Sequence, residues 1–335
     1  MQALLGKVSG GIDLSEAEMA AAVDTIMRGH ATDAEIAMLL SGLHHKGETV
    51  DEIVGAARAL RRHMTLLGGG RPGLLDTCGT GGDGLGTFNI STAAALVTAA
   101  AGVPVAKHGN RRASSLSGSA DVLAALGVNV EASLERVEAC LDTLGICFCF
   151  APLFHASMKH VAAVRRQLGF PTIFNLLGPL VNPAGAEFQL IGVGRAEVRP
   201  LVAEALARLG TKLALVVHGD DGLDELSIAG PSMVSEARPG SVREFRWAPT
   251  DFCLAAQPGA DLRVAGPEES AAMIRQVLAG NPGPARDVVV LNAGAALWTA
   301  GQHEHKLTCA AAAAEAIDNG AAAGLLARLA EFSHA

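Results

Sequence analysis

Residues 76–89 read Asp-Thr-Cys-Gly-Thr-Gly-Gly-Asp-Gly-Leu-Gly-Thr-Phe-Asn, and five of the eight residues at 79–86 are glycine. A short apolar run precedes them at 74–75 and a helix-like run follows at 91–101. Glycine lets a backbone turn through positive φ and approach a ligand closely. The first N–H groups of a helix lack internal partners and carry partial positive charge. A strand, a bare loop and a helix start therefore make a site for an anion, usually phosphate. A glycine-rich surface turn is the plainer alternative. The spacing is neither Gly-x-Gly-x-x-Gly nor Gly-x-x-x-x-Gly-Lys-Ser, so no dinucleotide or P-loop site is expected.

Three further groups can do chemistry. Lys107-His108-Gly109-Asn110-Arg111-Arg112 offers cations for phosphate or carboxylate, and His108 and Asn110 can hydrogen-bond an aromatic or polar substrate. A solvated basic turn fits the same residues. Ser114, Ser115, Ser117 and Ser119 follow, with hydroxyls and amides suited to phosphate oxygens. Asp224 and Glu225 are adjacent acids in a turn that begins at Gly219. Beside a phosphate site they suit magnesium, which keeps several waters and takes few carboxylates; alone they read as an acidic surface turn. Arg165 and Arg166 close a helical stretch, where one can fork onto a carboxylate and the other favour the helix C-terminus. The glycine- and proline-punctuated run at 175–183 fits a hinge, a pocket wall or a plain connector.

The elements that must position these groups fall into two textures. Ser15 with Glu18, Thr32 with Glu35 and Thr49 with Glu52 form capping boxes. Apolar residues follow each at helical spacing, so the chain to about Met64 reads as a small helical unit. From 74 onward, short apolar strands at 74–77, 103–107, 146–150, 188–193 and 213–218 alternate with helices at 91–101, 119–126, 134–144, 155–168 and 197–209. That pattern predicts a largely parallel sheet covered on both faces, with ligands beyond the carboxyl ends of the strands. The loops at 79–89, 108–119 and 219–225 all fall on that edge. A strand pair at 233–247 and helices at 267–278, 285–298, 307–317 and 321–331 complete the expectation.

Composition narrows the classes. Of 335 residues half are apolar, 18% are charged and the net charge is −8. The chain is globular rather than disordered, and the acidic balance argues against a partner bound mainly by phosphate neutralisation, such as nucleic acid. The six cysteines show no paired Cys-x-x-Cys zinc pattern. No basic, apolar leader opens the chain, and the alanine-rich run at 90–106 is broken by Gly102 and Pro104. Neither a secretory signal nor a membrane span is expected, and a reduced cytoplasm is the expected location.

With the glycine loop, Asn89-Ile90-Ser91-Thr92, the run 107–111, Gly118-Ser119-Ala120-Asp121, Arg165, 172–183 and 218–225 in view, the chain resembles the anthranilate phosphoribosyltransferases. The resemblance runs from about Ser15 to at least Ala229. Pyrimidine nucleoside phosphorylases, of the same superfamily, share the glycine loop and Lys-His-Gly but usually follow it with glycine where this chain has Asn110. The resemblance implies a homodimer of two-domain α/β subunits with the active site in the hinge. One domain is small and all-helical (1–70, joined by about 168–185). The other is a large α/β domain (71–167 and 186–335) with a mostly parallel sheet flanked by helices. The implied substrates are anthranilate and 5-phosphoribosyl-1-pyrophosphate, with two magnesium ions per subunit as cofactor.

Carried onto this sequence, the resemblance implies that Gly79, Gly82, Asp83, Thr87, Asn89, Ile90, Ser91 and Thr92 hold the phosphoribosyl pyrophosphate. Lys107, Gly109, Arg111, Arg112, Ala113, Ser114, Ser115 and Ser119 complete that grip. Ser91, Asp224 and Glu225 ligate the metal. Asn110 and Arg165 bind anthranilate, with Gly79 and His108 close to it. No residue is expected as a general base. The family usually has His-Pro-Ala-Met where this chain has His155-Ala156-Ser157-Met158, arginine at Pro171 and lysine at Leu116. A nucleoside phosphorylase, or a nucleic-acid-binding homologue without catalysis, are the alternative readings.

Overall fold

The computed structural model describes residues 1–68, 70–111 and 117–335. Four helices open the chain: α1 (Gln2–Ser9), α2 (Glu16–Met27), α3 (Asp33–Lys46) and α4 (Val50–His63). The last three start on the expected capping boxes. Glu52 does more than cap. Fully buried, it accepts from the Leu14 N–H at 2.9 Å and from Lys46 Nζ at 2.7 Å, tying α4 to the end of α3 and the turn before α2. The first helix has no side-chain cap, which is why no local signal announces it.

The alternating part follows as β1 (Leu75–Asp76), α5 (Ile90–Ala100), β2 (Val105–Gly109), α6 (Ser119–Ala125), α7 (Leu134–Leu144), β3 (Ile146–Phe150), α8 (Ala151–Phe154), α9 (Lys159–Leu168), α10 (Phe174–Leu177), β4 (Phe188–Gly192), α11 (Arg199–Leu209) and β5 (Leu213–Gly219). The hairpin β6 (Ser232–Arg238) and β7 (Ser241–Trp247) precedes α12 (Pro267–Leu278), α13 (Pro284–Thr299), α14 (Lys306–Asp318) and α15 (Ala321–Phe332). Two expected helices start later than their sequence pattern. Short 3-10 turns at Ala156–Met158 and Ala196–Val198 precede α9 and α11. Before α9 the chain leaves helical geometry at His155 (φ −121°, ψ 53°). Strand β1 is shorter than the expected 74–77, and just beyond it Thr77 accepts from Lys107 Nζ.

The strands form one seven-stranded sheet in the order β3-β2-β1-β4-β5-β6-β7. Pairings from β3 through β5 are parallel, and β5-β6 and β6-β7 are antiparallel. The order reverses between β1 and β4, and the crevice at such a switch point is where open α/β sheets bind ligands. Alternate residues of β4 and β5 feed two apolar cores. Leu190, Leu213, Leu215 and Val217 pack with α5, α13 and the C-terminal helices. Ile191, Ala214 and Val216 pack with α11 and share one continuous core with α2–α4 and with Ile173, Phe174, Leu177, Leu180 and Val181. The helical bundle is thus fastened to one face of the sheet, and the segment around α10 lies in the seam.

Candidate active site

A cleft of about 630 Å³ opens at the carboxyl edge of the sheet, over the switch point. Its floor is made by close approach of three backbones. The loop after β1 donates from the Thr80 N–H to the Gly192 carbonyl at 2.9 Å. A Cβ on Gly79 would lie 2.7 Å from the Gly192 oxygen, one on Gly194 would lie 2.6 Å from the Gly82 carbonyl carbon, and one on Gly192 would meet Asp224. Side chains there would push the glycine loop and the acidic turn apart. Within the loop, Gly81, Gly82, Gly84 and Gly86 all take positive φ, a region open to glycine at little cost. The far end of the loop is pinned by Phe88 N–H to Leu262 and by Val264 N–H to Gly86.

The acids sit against this loop. The Asp224 N–H donates to Asp83 Oδ2 at 3.4 Å, and Asp83, Asp224 and Glu225 all line the cleft. Burial, then the neighbouring Glu225 and Asp83, pushes the Asp224 carboxyl well above the usual range. Burial pushes Glu225 up to about 7, against the pull of Lys107 and hydrogen bonds from Ser91. Such crowding of acids stores an unmet demand for positive charge. Among the described residues no three His, Cys, Asp or Glu side chains form a closed metal cage. Two acids and a hydroxyl on an open cleft fit a hard cation that keeps waters and shares phosphate oxygens.

Strand β2 sorts its side chains by alternation. Lys107 turns one way, where Nζ donates to the Thr77 carbonyl (3.1 Å), Thr77 Oγ1 (3.0 Å) and Ser91 Oγ (3.4 Å). His108 turns the other way, where Nδ1 meets the Gly178 carbonyl at 3.1 Å and the ring lies 5.0 Å from that of His155. Both histidines are buried with Nε2 unpartnered. Burial lowers His108 to about 3 and His155 to about 4, so both rings are neutral at pH 7. With Nδ1–H donating to Gly178, His108 Nε2 is an acceptor. On the same side Arg165 reaches Asn175 Oδ1 at 3.3 Å and lies over the Phe174 ring at 5.6 Å. Burial lowers its pKa, and no carboxylate is within ion-pair reach among the described residues.

Gly79, Gly82, Asp83, Thr87, Asn89, Ile90, Ser91, Lys107, His108, Gly109, Asn110, Arg111, Ser119, Arg165, Asp224 and Glu225 all line this cleft. Gly109 admits Ser119, whose Oγ would lie 2.1 Å from a Cβ there. Arg111 is less free than expected, because its guanidinium faces Asp121 (3.4 Å) and Glu131 (2.7 Å). Thr92 does not line the cleft. It is buried one position past Ser91 on α5, about 100° further round the helix, and faces the core beside Lys107 and Cys147 rather than the cleft. Arg112, Ala113, Ser114 and Ser115 lie outside the described residues.

Several supports went unassigned in the sequence. Asp76, fully buried and raised to about 6 by that burial, accepts from the His108 N–H (3.0 Å) and from Asn182 Nδ2 (2.7 Å). An acid closing an apolar strand was the available signal. Ser270 on α12 holds Asn89 through the Asn89 N–H (2.9 Å) and Oδ1 (3.1 Å); nothing local marks it. His155 reads in the sequence only as the start of a helical stretch and of a run that differs from the family pattern at Ala156 and Ser157.

Residues 71–323 match the glycosyl transferase family a/b domain, and residues 2–64 match the glycosyl transferase family helical bundle domain. The chain is 52% identical over 334 residues to the anthranilate phosphoribosyltransferase of Symbiobacterium thermophilum, covering 100% of this chain and 98% of that one. The crystal structure of anthranilate phosphoribosyltransferase from Thermus thermophilus superposes with a TM-score of 0.93 at 45% identity, covering 99% of each chain. The Saccharomyces cerevisiae anthranilate phosphoribosyltransferase in complex with PRPP and Mg gives 0.90 at 28% identity, covering 99% of this chain and 97% of that one. With matches over its whole length and the glycine loop, paired acids and neutral histidines in one cleft, the chain belongs to the anthranilate phosphoribosyltransferase family.

Proposed function

We propose that the cleft moves the 5-phosphoribosyl group from 5-phosphoribosyl-1-pyrophosphate to the amine of anthranilate. The products are N-(5-phosphoribosyl)anthranilate and pyrophosphate, in a step of tryptophan synthesis. The observation that carries this reading is the division made by β2. Lys107, the glycine loop and the two acids lie on one side. Two neutral histidines and Arg165 lie on the other. The first set suits a diphosphate; the second suits an aryl amine with a carboxylate.

Amides of the 79–83 loop and the start of α5 hold the diphosphate oxygens. Ser91, Asp224 and Glu225 would hold magnesium, two ions per subunit. When bound, the metal neutralises charge on the departing diphosphate. As the ribose C1–oxygen bond breaks, charge gathers on the leaving group, so donors fixed there favour the transition state over the ground state. Arg165 binds the anthranilate carboxylate and turns the amine towards C1. The aryl amine has a free lone pair at neutral pH, so positioning supplies the rate rather than a strong base. His108 and His155 present neutral rings to this half of the cleft.

The helical unit (1–70 with about 168–185), the α/β unit (71–167 and 186–335), the homodimer and the cytoplasmic location belong to the same reading. The shared core around α10 supports the first division. Among the described residues no helix is long and apolar enough to cross a membrane. Assaying anthranilate with phosphoribosyl pyrophosphate beside thymidine or uridine with phosphate tests the assignment. Turnover of the first pair alone is expected; release of base from the second would replace it.

A further inference from the structure

Three consecutive carbonyls at the end of α10 are each held by a side chain from a different element. His108 on β2 holds Gly178 (3.1 Å), Gln189 on β4 holds Pro179 (2.6 Å), and Arg61 on α4 holds Leu180 through Nε (2.8 Å). The Gly178 carbonyl also accepts from the Val181 N–H at 3.4 Å, which closes the turn, and the donors to Pro179 and Leu180 fix where it ends. Gly178, Pro179 and Val181 form part of the cleft wall beside His108. Arg61 itself does not line the cleft. It is half-buried, and among the described residues it has no carboxylate within ion-pair reach. A guanidinium drawn partly out of water without a counter-charge is costly to keep, and its Nε donor is spent on a carbonyl of another segment.

We infer that Arg61 is a positioning residue for the acceptor half of the site: through Leu180 it fixes the 178–181 wall against which anthranilate and His108 are set. The inference rests on the proposed phosphoribosyl transfer for its substrate, and on geometry alone for its mechanical part. The diphosphate side is held by other contacts, so the two substrates respond differently to loss of Arg61. Gln189 shares the turn, and effects at residues with a shared partner are not additive.

The test uses Arg61→Met, Arg61→Lys and Gln189→Met in the full chain. Steady-state kinetics are measured for each substrate, with hydrogen exchange at 175–183. Arg61→Met should raise the KM for anthranilate roughly tenfold, the loss of about one buried charged hydrogen bond. The KM for phosphoribosyl pyrophosphate should stay within about twofold, as only uniform acceptor binding is touched. Exchange should quicken at 175–183 and not at 79–86, and the double variant with Gln189→Met should lose less than the product of the single losses. Arg61→Lys, whose ammonium can still donate to the Leu180 carbonyl, should recover part of the loss seen in Arg61→Met; equal losses in the two variants with exchange at 175–183 unchanged would overturn the inference. So would an unchanged KM for anthranilate, an equal rise for both substrates, or unchanged exchange at 175–183. If Arg61→Met does not fold, Gln189→Met, which frees the neighbouring Pro179 carbonyl, carries the same comparisons. A parent protein inactive on this substrate pair would sink the proposed function, while the exchange result still decides the role of Arg61.

Discussion

Gly192 passes so close to Asp224 that a Cβ on it would lie 1.5 Å from the Asp224 carbonyl oxygen. The end of β4 is therefore the spacer between the glycine loop and the acids. Gly192→Ala should cost at least about 3 kcal/mol, the upper end for overpacking, because backbone must move. Gly84→Ala, with φ 71° and open space around it, should cost only about 1–2 kcal/mol of left-handed strain. Urea unfolding of both variants checks the order; equal losses would mean that the wedge is not tight.

Asp224 lies buried beside Glu225 and Asp83, with like charges raising its pKa. Replacing it with an amide removes repulsion. Asp224→Asn should leave Tm unchanged or higher while turnover falls on the order of 100-fold, the scale for one lost electrostatic element. Calorimetry beside an activity assay reads both. A large fall in Tm would make Asp224 a structural residue.

His108 gives the fold an acid limit. Unfolded, the ring takes a proton near pH 6.5; folded, not until about 3, because it is buried. Between those values the unfolded chain binds more protons, so stability falls as pH falls, by about 2 kcal/mol at pH 5. Asp76 acts oppositely in part of that window, since its folded value is raised to about 6. Comparing His108→Asn with the parent from pH 7 to 5 removes that common contribution. The variant should show the flatter profile of Tm against pH; parallel profiles would mean that His108 is not kept neutral by the fold.

Among the described residues Arg165 has one side-chain hydrogen-bond partner, Asn175, at 3.3 Å, and lies over the Phe174 ring. Arg165→Ala should raise the KM for anthranilate at least tenfold, about the worth of one charged hydrogen bond, and leave that for phosphoribosyl pyrophosphate nearly unchanged. If only the latter moved, the acceptor carboxylate is held elsewhere.

What the sequence showed was local. Ser15 with Glu18 and its two counterparts announce helix starts because cap and carboxylate are three residues apart. The glycine loop reads as an anion site because strand, turn and helix are contiguous. The contact of Gly79 with Gly192 depends on β4 lying next to β1, which no local pattern encodes. Asn89 and Ser270 are separated by 181 positions, and Arg61 and Leu180 by 119. The burial of Thr92 beside Ser91 was not legible, because adjacency in sequence is not adjacency on a helix face. His155 reads as part of a helix until the chain bends to place its ring beside His108.

The central claim is that the glycine loop and the paired acids act together on a departing diphosphate. Loss of anthranilate fluorescence with phosphoribosyl pyrophosphate, titrated with magnesium, tests it in the parent and in the Asp224→Asn, Glu225→Gln double variant. A steep magnesium dependence is expected in the parent, and a slow, nearly magnesium-independent rate in the variant. The same magnesium curve and rate in both proteins would contradict it.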